Sequence, residues 1–426
     1  MTIEHLYQIY LQYPSVQTDT RKLTTGSIFF ALKGDNFNGN QFAQKAIELG
    51  AAFVVVDEVV TVMNNAKIIR VENVLTTLQQ LAKYHRQQFS IPFIAITGSN
   101  GKTTTKELIH AVLSTKYKTY TTEGNLNNHI GIPLTILSVK TDAEIAVIEM
   151  GANHQKEIEA YCQYAIPTHG LITNCGKAHL EGFGGIEGVR KGKGELFDYI
   201  RENNGTAFIM NDYDYLQEMS KEITSVITYG TDVADLTGIS ESTHGFLRVR
   251  ITNGITIPYI QTHLVGDYNL PNVLAAICIG KYFGVEEDSI KNALENYTPS
   301  NSRSQLIEKD GNKIILDAYN ANPTSMKAAI ENFAKDPAPN KIMLLGGMME
   351  LGKESVQEHQ SIVDLIKKYA WKDVVLVGGD FNKVQHAFTY FENSIEAQLW
   401  LKDKKFTQVS ILIKGSRSIK MEKVLE

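Results

Sequence analysis

The chain has 426 residues, and at about 150 residues per domain that length favours about three domains over a single small binding module. Its 43% hydrophobic and 21% charged residues supply the apolar mass for real cores, which excludes a disordered or collagen-like chain. Lys plus Arg number 42 against 47 Asp plus Glu, a net charge of −5 with no long basic block, so nucleic acid and membrane surfaces are not indicated as partners and small-molecule chemistry is the default.

The longest apolar stretches, IPFIAIT from Ile91 and KIMLLGG from Lys341, fall short of the ~18 to 20 residues of a membrane span. The N-terminal MTIEHLYQIY carries Glu4 and lacks a basic leader, so it does not read as a signal peptide, and a cytoplasmic protein is expected. Cys162, Cys175 and Cys278 are widely spaced with no CxxC pair and read as reduced thiols. Nothing sets an oligomeric state, and monomer is the default.

The first 90 residues mix short apolar runs (SIFFAL from Ser27, AAFVVVDE from Ala51) with a helical pattern, NQFAQKAIELG, in which Phe42, Ala46 and Ile47 recur near the helical period. This predicts a small α/β domain over 1–90, ended by the polar RQQFS and Pro92. From 91 to 298 strands alternate with helices: FIAIT before KTTTKELIHAVL, then IAVIE, LITN and AFIMN, which implies a largely parallel sheet covered by helices. Between Val226 and Val265 the texture turns β-rich (VITYG, FLRVRIT, GITIPYI), as an antiparallel edge would, before a helix in NLPNVLAAICIGKYFG. A boundary near Pro299 opens a third domain, 299–426. There the alternation repeats four times: IILDAY then a helix from Pro323, IMLLGG then a helix around 356–369, VVLVGG then a helix, and VSILIKG then a terminal helix. The fold class expected is α/β in three domains: a small N-terminal one, a central mostly parallel sheet of the phosphate-loop ATPase kind, and a Rossmann-like C-terminal one. Each strand of the last third ends in Gly, Asp or Asn, so ligands are expected at the carboxyl edge of that sheet.

The sharpest local signal is ITGSNGKTTT, which follows a buried strand and opens a helix whose Leu108, Ile109, Val112 and Leu113 share a face. Glycines let backbone N–H groups approach phosphates, the helix N-terminus favours negative charge, Lys102 reaches the outer phosphates and Thr103 can hold magnesium. The first glycine is Gly98, so this is a shortened variant of the usual phosphate loop. Glu149 closes the strand IAVIE, where a carboxylate faces that loop and can take magnesium or simply be a solvated strand end. His179 and Glu181 follow the strand end at LITN; an imidazole there can ligate a metal, although a lone histidine is more often structural. Arg190, Lys191 and Lys193, by themselves, read as a solvated basic face.

Taken in order, DTRKLTTGSIFFALKG, TGSNGKTTTK, TTEGNLNNHIGIPLT, EMGANHQKEI, AHLEGFGGIEGVRKGKGELF, GDYNLPNVLAA, DAYNANPTSM, LLGGMMELGKES and IKGSRSIKME resemble the Mur ligase family over essentially the whole chain. GNLNN, GANHQ and YNANP together resemble the branch that joins D-alanyl-D-alanine to a UDP-N-acetylmuramoyl-tripeptide in peptidoglycan precursor synthesis. The resemblance implies an ATP-dependent, magnesium-requiring amide ligase that passes through an acyl phosphate.

It also implies roles, residue by residue. Gly98, Ser99, Asn100, Gly101, Lys102, Thr103 and Thr104 hold the phosphates, and Thr103, Glu149 and His179 serve the metals. Lys193, four residues before Phe197, matches the position of a carbamylated lysine, whose carbamate is an anion able to bind magnesium. Asn272 and Asn128 lie toward adenine, Arg303 reaches the phosphates from the next domain, and Asp317 takes ribose hydroxyls. Tyr319, Asn320 and Asn322 line the meeting of ATP and amine, while Lys414 and Ser416 assist the dipeptide. Thr20 and Arg21 match the turn that holds the UDP-sugar. Asn40, His129 and Tyr268 depart from the family pattern. The competing readings are another ligase of the superfamily, such as one adding the third amino acid or polyglutamylating folate, and a non-catalytic nucleotide-binding regulator.

Overall fold

A computed structural model describes residues 1–62, 64–241, 245–299 and 302–426. Val16–Gln17, Ile28–Phe30, Phe53–Val56 and Ile68–Arg70 form a wholly parallel four-stranded sheet in that order. The strand period of two divides its side chains. Phe30 and Val55 join Leu6 and Tyr10 of the helix Ile3–Gln12 and Leu78 and Leu81 of the helix Val74–Arg86, while Phe29, Val54 and Val56 join Ala43 and Ala46 of the helix Ala43–Glu48.

The central sheet has nine strands in the order Tyr259–Val265, Phe246–Asn253, Leu236–Ser240, Ser225–Gly230, Thr206–Met210, His169–Ile172, Phe93–Thr97, Ile145–Glu149, Thr119–Thr121. Pairing is antiparallel only where Leu236–Ser240, Phe246–Asn253 and Tyr259–Val265 meet. The expected antiparallel edge is therefore present but narrower than the sequence texture suggests, because VITYG pairs parallel on both sides. Phe93–Thr97 is flanked by Ile145–Glu149 on one side and His169–Ile172 on the other. The chain reverses its direction of travel across the sheet at this strand, which makes its carboxyl end a topological switch point, the place where open α/β sheets bind ligands.

The third sheet runs Gln305–Lys309, Asn312–Asp317, Ser410–Lys414, Lys341–Gly346, Asp373–Val377, Thr389–Phe391, and its first pair is an antiparallel hairpin. The sheet adds two strands to the expected alternation and corrects one helix. The hairpin strand Gln305–Lys309 was not anticipated, and Ser300 and Asn301 of the SNSRS segment before it lie outside the described residues. After VVLVGG the chain makes a short 3-10 turn and the strand Thr389–Phe391 before the helix Ser394–Lys404, because Gly378 and Gly379, at φ +58° and +59°, turn it away from helical geometry. The chain ends in a 3-10 turn, Met421–Leu425, in place of the terminal α-helix.

One apolar cluster runs from Leu6 and Leu78 through Ile94 and Leu108 to Met326 and Phe333, so side chains from all three sheet regions share a continuous core. Within it the helix Ile186–Glu202 buries Val189, Leu196, Phe197 and Ile200, and Lys193 sits on that same face. The reading of Lys193 as part of a solvated basic face is thereby overturned: positions 189, 193, 196 and 200 recur at helical spacing and all point inward.

Candidate active site

The switch-point strand delivers the loop Gly98–Gly101 to a cavity of about 1450 Å³ between the central and C-terminal sheets. The loop glycines are packed tightly against neighbouring side chains. Gly98 sits at φ +142°, and a Cβ there would lie 2.0 Å from Thr173 Oγ1; Gly101, at φ +82°, caps the helix Lys102–Leu113, and a Cβ there would lie 2.5 Å from Asn272 Oδ1. Neither position admits a side chain.

Asn100 is the most heavily held residue of the loop. Its N–H donates to Asn174 Oδ1 (3.1 Å), and its carbonyl accepts from Asn174 Nδ2 (3.0 Å) and Thr173 Oγ1 (2.6 Å). Its side-chain oxygen accepts from Nδ2 of Asn322 (2.7 Å), a residue of the C-terminal region. Asn322 also caps the helix Pro323–Ala334 in a reciprocal box with Ser325, which fixes its rotamer. Ser99 donates from Oγ to the Gly176 carbonyl (2.9 Å). Lys102 Nζ bonds the Gly98 carbonyl (2.6 Å), and its pKa is lowered to about 8, mainly by desolvation, with Glu149 opposing the shift and Arg303 adding to it.

Behind the loop, Glu149 Oε1 accepts from Thr103 Oγ1 (3.1 Å) and Asn127 Nδ2 (2.7 Å). Its second oxygen is buried with no hydrogen-bond partner, as is Nδ2 of Asn100. An unpaired buried carboxylate oxygen is costly unless a cation takes it. A hard divalent ion bound through one carboxylate and one hydroxyl, with phosphates and water completing the shell, is the usual manner of magnesium. The donor set fits that ion. Among the described residues no three His, Cys, Asp or Glu side chains converge as a closed metal cage.

Lys193 lies deeper, its Nζ donating to the Ala152 carbonyl (2.9 Å). Burial lowers its pKa to about 7, with the nearby Lys102 charge contributing. His179 adopts φ +52° at the start of the helix Leu180–Phe183, with Nδ1 2.5 Å from Glu350 Oε2, and this contact holds the Glu350 carboxyl below its ordinary range.

On the far wall Arg303 stacks its guanidinium 3.5 Å over the Tyr319 ring. Arg417 approaches the same ring at 5.4 Å and donates to the Tyr319 hydroxyl (3.3 Å). Asp317 pairs with Lys414 Nζ (2.6 Å), which also bonds the Asn320 carbonyl, and accepts from the Ser304 N–H.

These surroundings match known proteins over the whole chain. Residues 12–86 match the Mur ligase family catalytic domain, 96–280 the Mur ligase middle domain, and 302–404 the Mur ligase glutamate ligase domain. The chain is 36% identical over 433 aligned residues to the UDP-N-acetylmuramoyl-tripeptide–D-alanyl-D-alanine ligase of Bacillus subtilis, covering 96% of this chain and 92% of that one. The chain belongs to the Mur ligase family. The enzyme of the same name from Escherichia coli is 34% identical over 424 residues, with 96% and 92% covered. Among solved structures, MurF from Acinetobacter baumannii superposes with a TM-score of 0.88 at 29% identity (100% and 97% covered), and the MurF ligase of Thermotoga maritima in complex with ADP with 0.87 at 26% (97% of each).

In this Mur ligase the cavity wall gathers Ser99 to Thr104, Asn128, Glu149, His179, Asn272, Arg303, Asp317, Tyr319, Asn320, Asn322, Lys414 and Ser416 from the residues singled out in the sequence. Gly98 forms the bed of the loop and Lys193 lies behind the wall. Thr20 and Arg21 are not on it. They form a 3-10 turn in the N-terminal region, where Asp19 accepts from the Arg21 backbone and guanidinium and Arg21 is largely exposed. Asn272 accepts from Thr105 and donates to Asn269, so its amide supports the loop from beneath. Asn128 accepts from the N–H groups of Ile130 and Gly131 and so starts the following helix.

Lys414 and Ser416 are both buried: Lys414 is committed to Asp317, and the Ser416 N–H is bonded to the Gly347 carbonyl. Of the departing positions, Tyr268 bonds Ser304 beside Arg303, and Asn40 ties Asn38 to Asp57 inside the N-terminal region. His129 reaches the cavity and accepts from Gln79 through its carbonyl.

Residues that sequence reasoning missed are Asn127, Thr173, Asn174 and Arg417. Asn127 lies within GNLNN, and Asn174 within the expected strand end LITN, so each carried a signal: an amide where a strand meets a phosphate loop.

Proposed function

We propose that the protein is an ATP-dependent ligase that joins D-alanyl-D-alanine to the tripeptide of UDP-N-acetylmuramoyl-tripeptide, acting in the cytoplasm as a monomer. The observation that carries this reading is the clasp on Asn100, in which Asn322 of the YNANP segment reaches across from the C-terminal region to a phosphate loop that already has an unpaired acidic oxygen behind it. A nucleotide-binding regulator needs the loop alone. A ligase must bring an amine-bearing region onto the phosphates.

The chemistry follows from the groups present. A carboxylate oxygen of the tripeptide attacks the γ-phosphorus of ATP and ADP leaves. The dipeptide amine then attacks the acyl carbon, and the tetrahedral intermediate expels phosphate as the amide forms. Little covalent work falls to the protein; positioning and charge neutralisation dominate. The N–H groups of the loop and the start of the helix Lys102–Leu113 receive the phosphates. Lys102, freed from the Gly98 carbonyl, and Arg303, braced on Tyr319, supply positive charge to the transferring group. Thr103 and Glu149 hold magnesium, which when bound neutralises phosphate charge. Burial and the nearby Lys102 charge lower the pKa of Lys193 and so favour its neutral amine, the form that takes up carbon dioxide, releases a proton and becomes a carbamate. Asp317 and Lys414 fix the strand end that presents Tyr319 and Asn320, and Thr20 and Arg21 receive the UDP-sugar from the N-terminal region.

The deciding experiment measures phosphate release from ATP with UDP-muramoyl tripeptides carrying diaminopimelate or lysine, with and without D-alanyl-D-alanine, followed by mass analysis of the sugar product. Dipeptide-dependent turnover to a pentapeptide is expected. Tight ATP binding with no turnover on either tripeptide would sink the reading.

A further inference from the structure

The segment that braces the phosphate loop is itself bolted to the C-terminal region by contacts that begin at the cavity wall, at Gly176 and Thr324, and continue beyond it, at Lys177 and Glu358. Gly176, whose carbonyl accepts from Ser99, approaches Thr324 so closely that a Cβ at 176 would meet Thr324 Oγ1 at 2.9 Å. The next residue, Lys177, donates from its backbone N–H to Thr324 Oγ1 (2.9 Å) and from Nζ to Glu358 Oε1 (2.5 Å). Thr324 opens the helix Pro323–Ala334, and Glu358 lies in the first turn of the helix Ser355–Ile366, both in the C-terminal region. The pair is lopsided, since the Lys177 side chain keeps 48% of its exposure and Glu358 only 9%.

We propose that Lys177, acting with Thr324 and Glu358, is a positioning residue that registers the C-terminal region on the phosphate loop, so that the acyl phosphate meets the amine before it meets water. This rests on the ligase reading above. Exposed ion pairs are weak, but this one seals a buried carboxylate at the seam between two regions. Three links then act on two adjoining segments of the central region, the phosphate loop and the stretch that Asn174 ties to it: Asn322 to Asn100, Thr324 to Lys177, and Glu358 to Lys177. Docking the C-terminal region and shaping the loop become a single event, and water exclusion depends on it.

The lopsided burial sets the order of effects. Removing the lysine strands a buried carboxylate, whereas removing the carboxylate leaves a lysine that can turn to solvent. Lys177→Met is therefore expected to raise the dipeptide KM by about tenfold and to release more phosphate than amide, while ADP affinity stays within about twofold. Glu358→Gln follows the same pattern more weakly, and the charge swap Lys177→Glu with Glu358→Lys restores coupling. A dipeptide KM and a phosphate-to-amide ratio unchanged in Lys177→Met, or a swap no better than either single variant, overturns the proposal. Hydrogen exchange tests it apart from turnover. Amides at 174–177 and 324–326 should exchange faster in Lys177→Met, with those of the strand Lys341–Gly346 unchanged. Equal exchange in both proteins overturns the proposal even if the starting enzyme proves to use other substrates.

Discussion

Asn174→Ala isolates the cost of a loosely held phosphate loop. The substitution deletes two hydrogen bonds to Asn100, one to its N–H (3.1 Å) and one to its carbonyl (3.0 Å). The carbonyl keeps Thr173 Oγ1 at 2.6 Å, so its loss falls at the low end of the ~0.5 to 1.5 kcal/mol that a net hydrogen bond contributes. The N–H loses its partner outright and falls at the high end. Together the loop loses about 2 kcal/mol of bias toward its binding shape. With a tenfold change per ~1.4 kcal/mol, that caps the loss of nucleotide affinity near thirtyfold, and about tenfold is expected because Ser99 remains tied to Asn174 and Gly176. Titration calorimetry with ADP and magnesium reads the effect, and circular dichroism melting checks the fold. Asn174→Asp keeps an acceptor for the Asn100 N–H but sets a carboxylate beside the phosphates. It should bind more weakly than the alanine variant at low salt, with the gap narrowing as salt rises. Alanine-variant affinity within twofold of the starting protein would refute the reasoning, because it would mean the remaining contacts hold the loop unaided.

Further outcomes follow from the same geometry. Glu149→Gln should lower kcat by about two to three orders of magnitude while the thermal midpoint without ligand does not fall, since the buried oxygen it replaces has no partner; a parallel loss of both would point to a structural role. Gly98→Ala should abolish measurable nucleotide binding through the 2.0 Å clash with Thr173, whereas Gly26→Ala, at φ +86° with open space around it, should leave binding intact. Assays in carbon-dioxide-free buffer should show reduced kcat restored by bicarbonate; no response, together with a lysine mass unchanged at position 193, would remove the carbamate from the mechanism. His169, buried among Phe208, Tyr282 and Phe283, has its pKa lowered to about 4 by desolvation. The folded state then resists protonation that the unfolded chain accepts, so stability is full above pH ~6.5 and falls by about 3 kcal/mol as pH drops toward 4. Chemical denaturation of His169→Gln should show a shallower acid slope, and an identical slope would contradict this.

The phosphate loop and its strand were legible because a buried run, two glycines and a lysine admit few other geometries, and Glu149 was legible as a carboxylate closing an apolar strand. Asn174 and Asn127 were harder to see. An asparagine at a strand end carries no periodic or charge signature, and its function depends on which strands become neighbours, which follows from the crossover at Phe93–Thr97. Lys193 shows the opposite failure. Charge argued for solvent while the helical spacing of Val189, Leu196 and Ile200 argued for burial, and periodicity was the better guide. The missed hairpin Gln305–Lys309 fits the same pattern, since QLIEK has too little alternation to declare a strand until Asn312–Asp317 pairs with it.

What unites the well-held residues is that few belong to one region only. Asn100 is gripped by Asn174 from its own sheet and by Asn322 from the next, and Lys102 feels Glu149 and Arg303 from opposite walls. A site assembled this way is complete only when the C-terminal region is docked. That matches a reaction whose first product, an acyl phosphate, must be withheld from water until an amine arrives. It also gives a use to Glu149 Oε2 and Asn100 Nδ2, two of the six buried side-chain polar atoms without hydrogen-bond partners among the described residues, which lie on the loop side of the cavity. The hydrogen bonds between regions are made by the protein alone, and the unpaired acceptor and donor are left for a cation and the phosphates it accompanies.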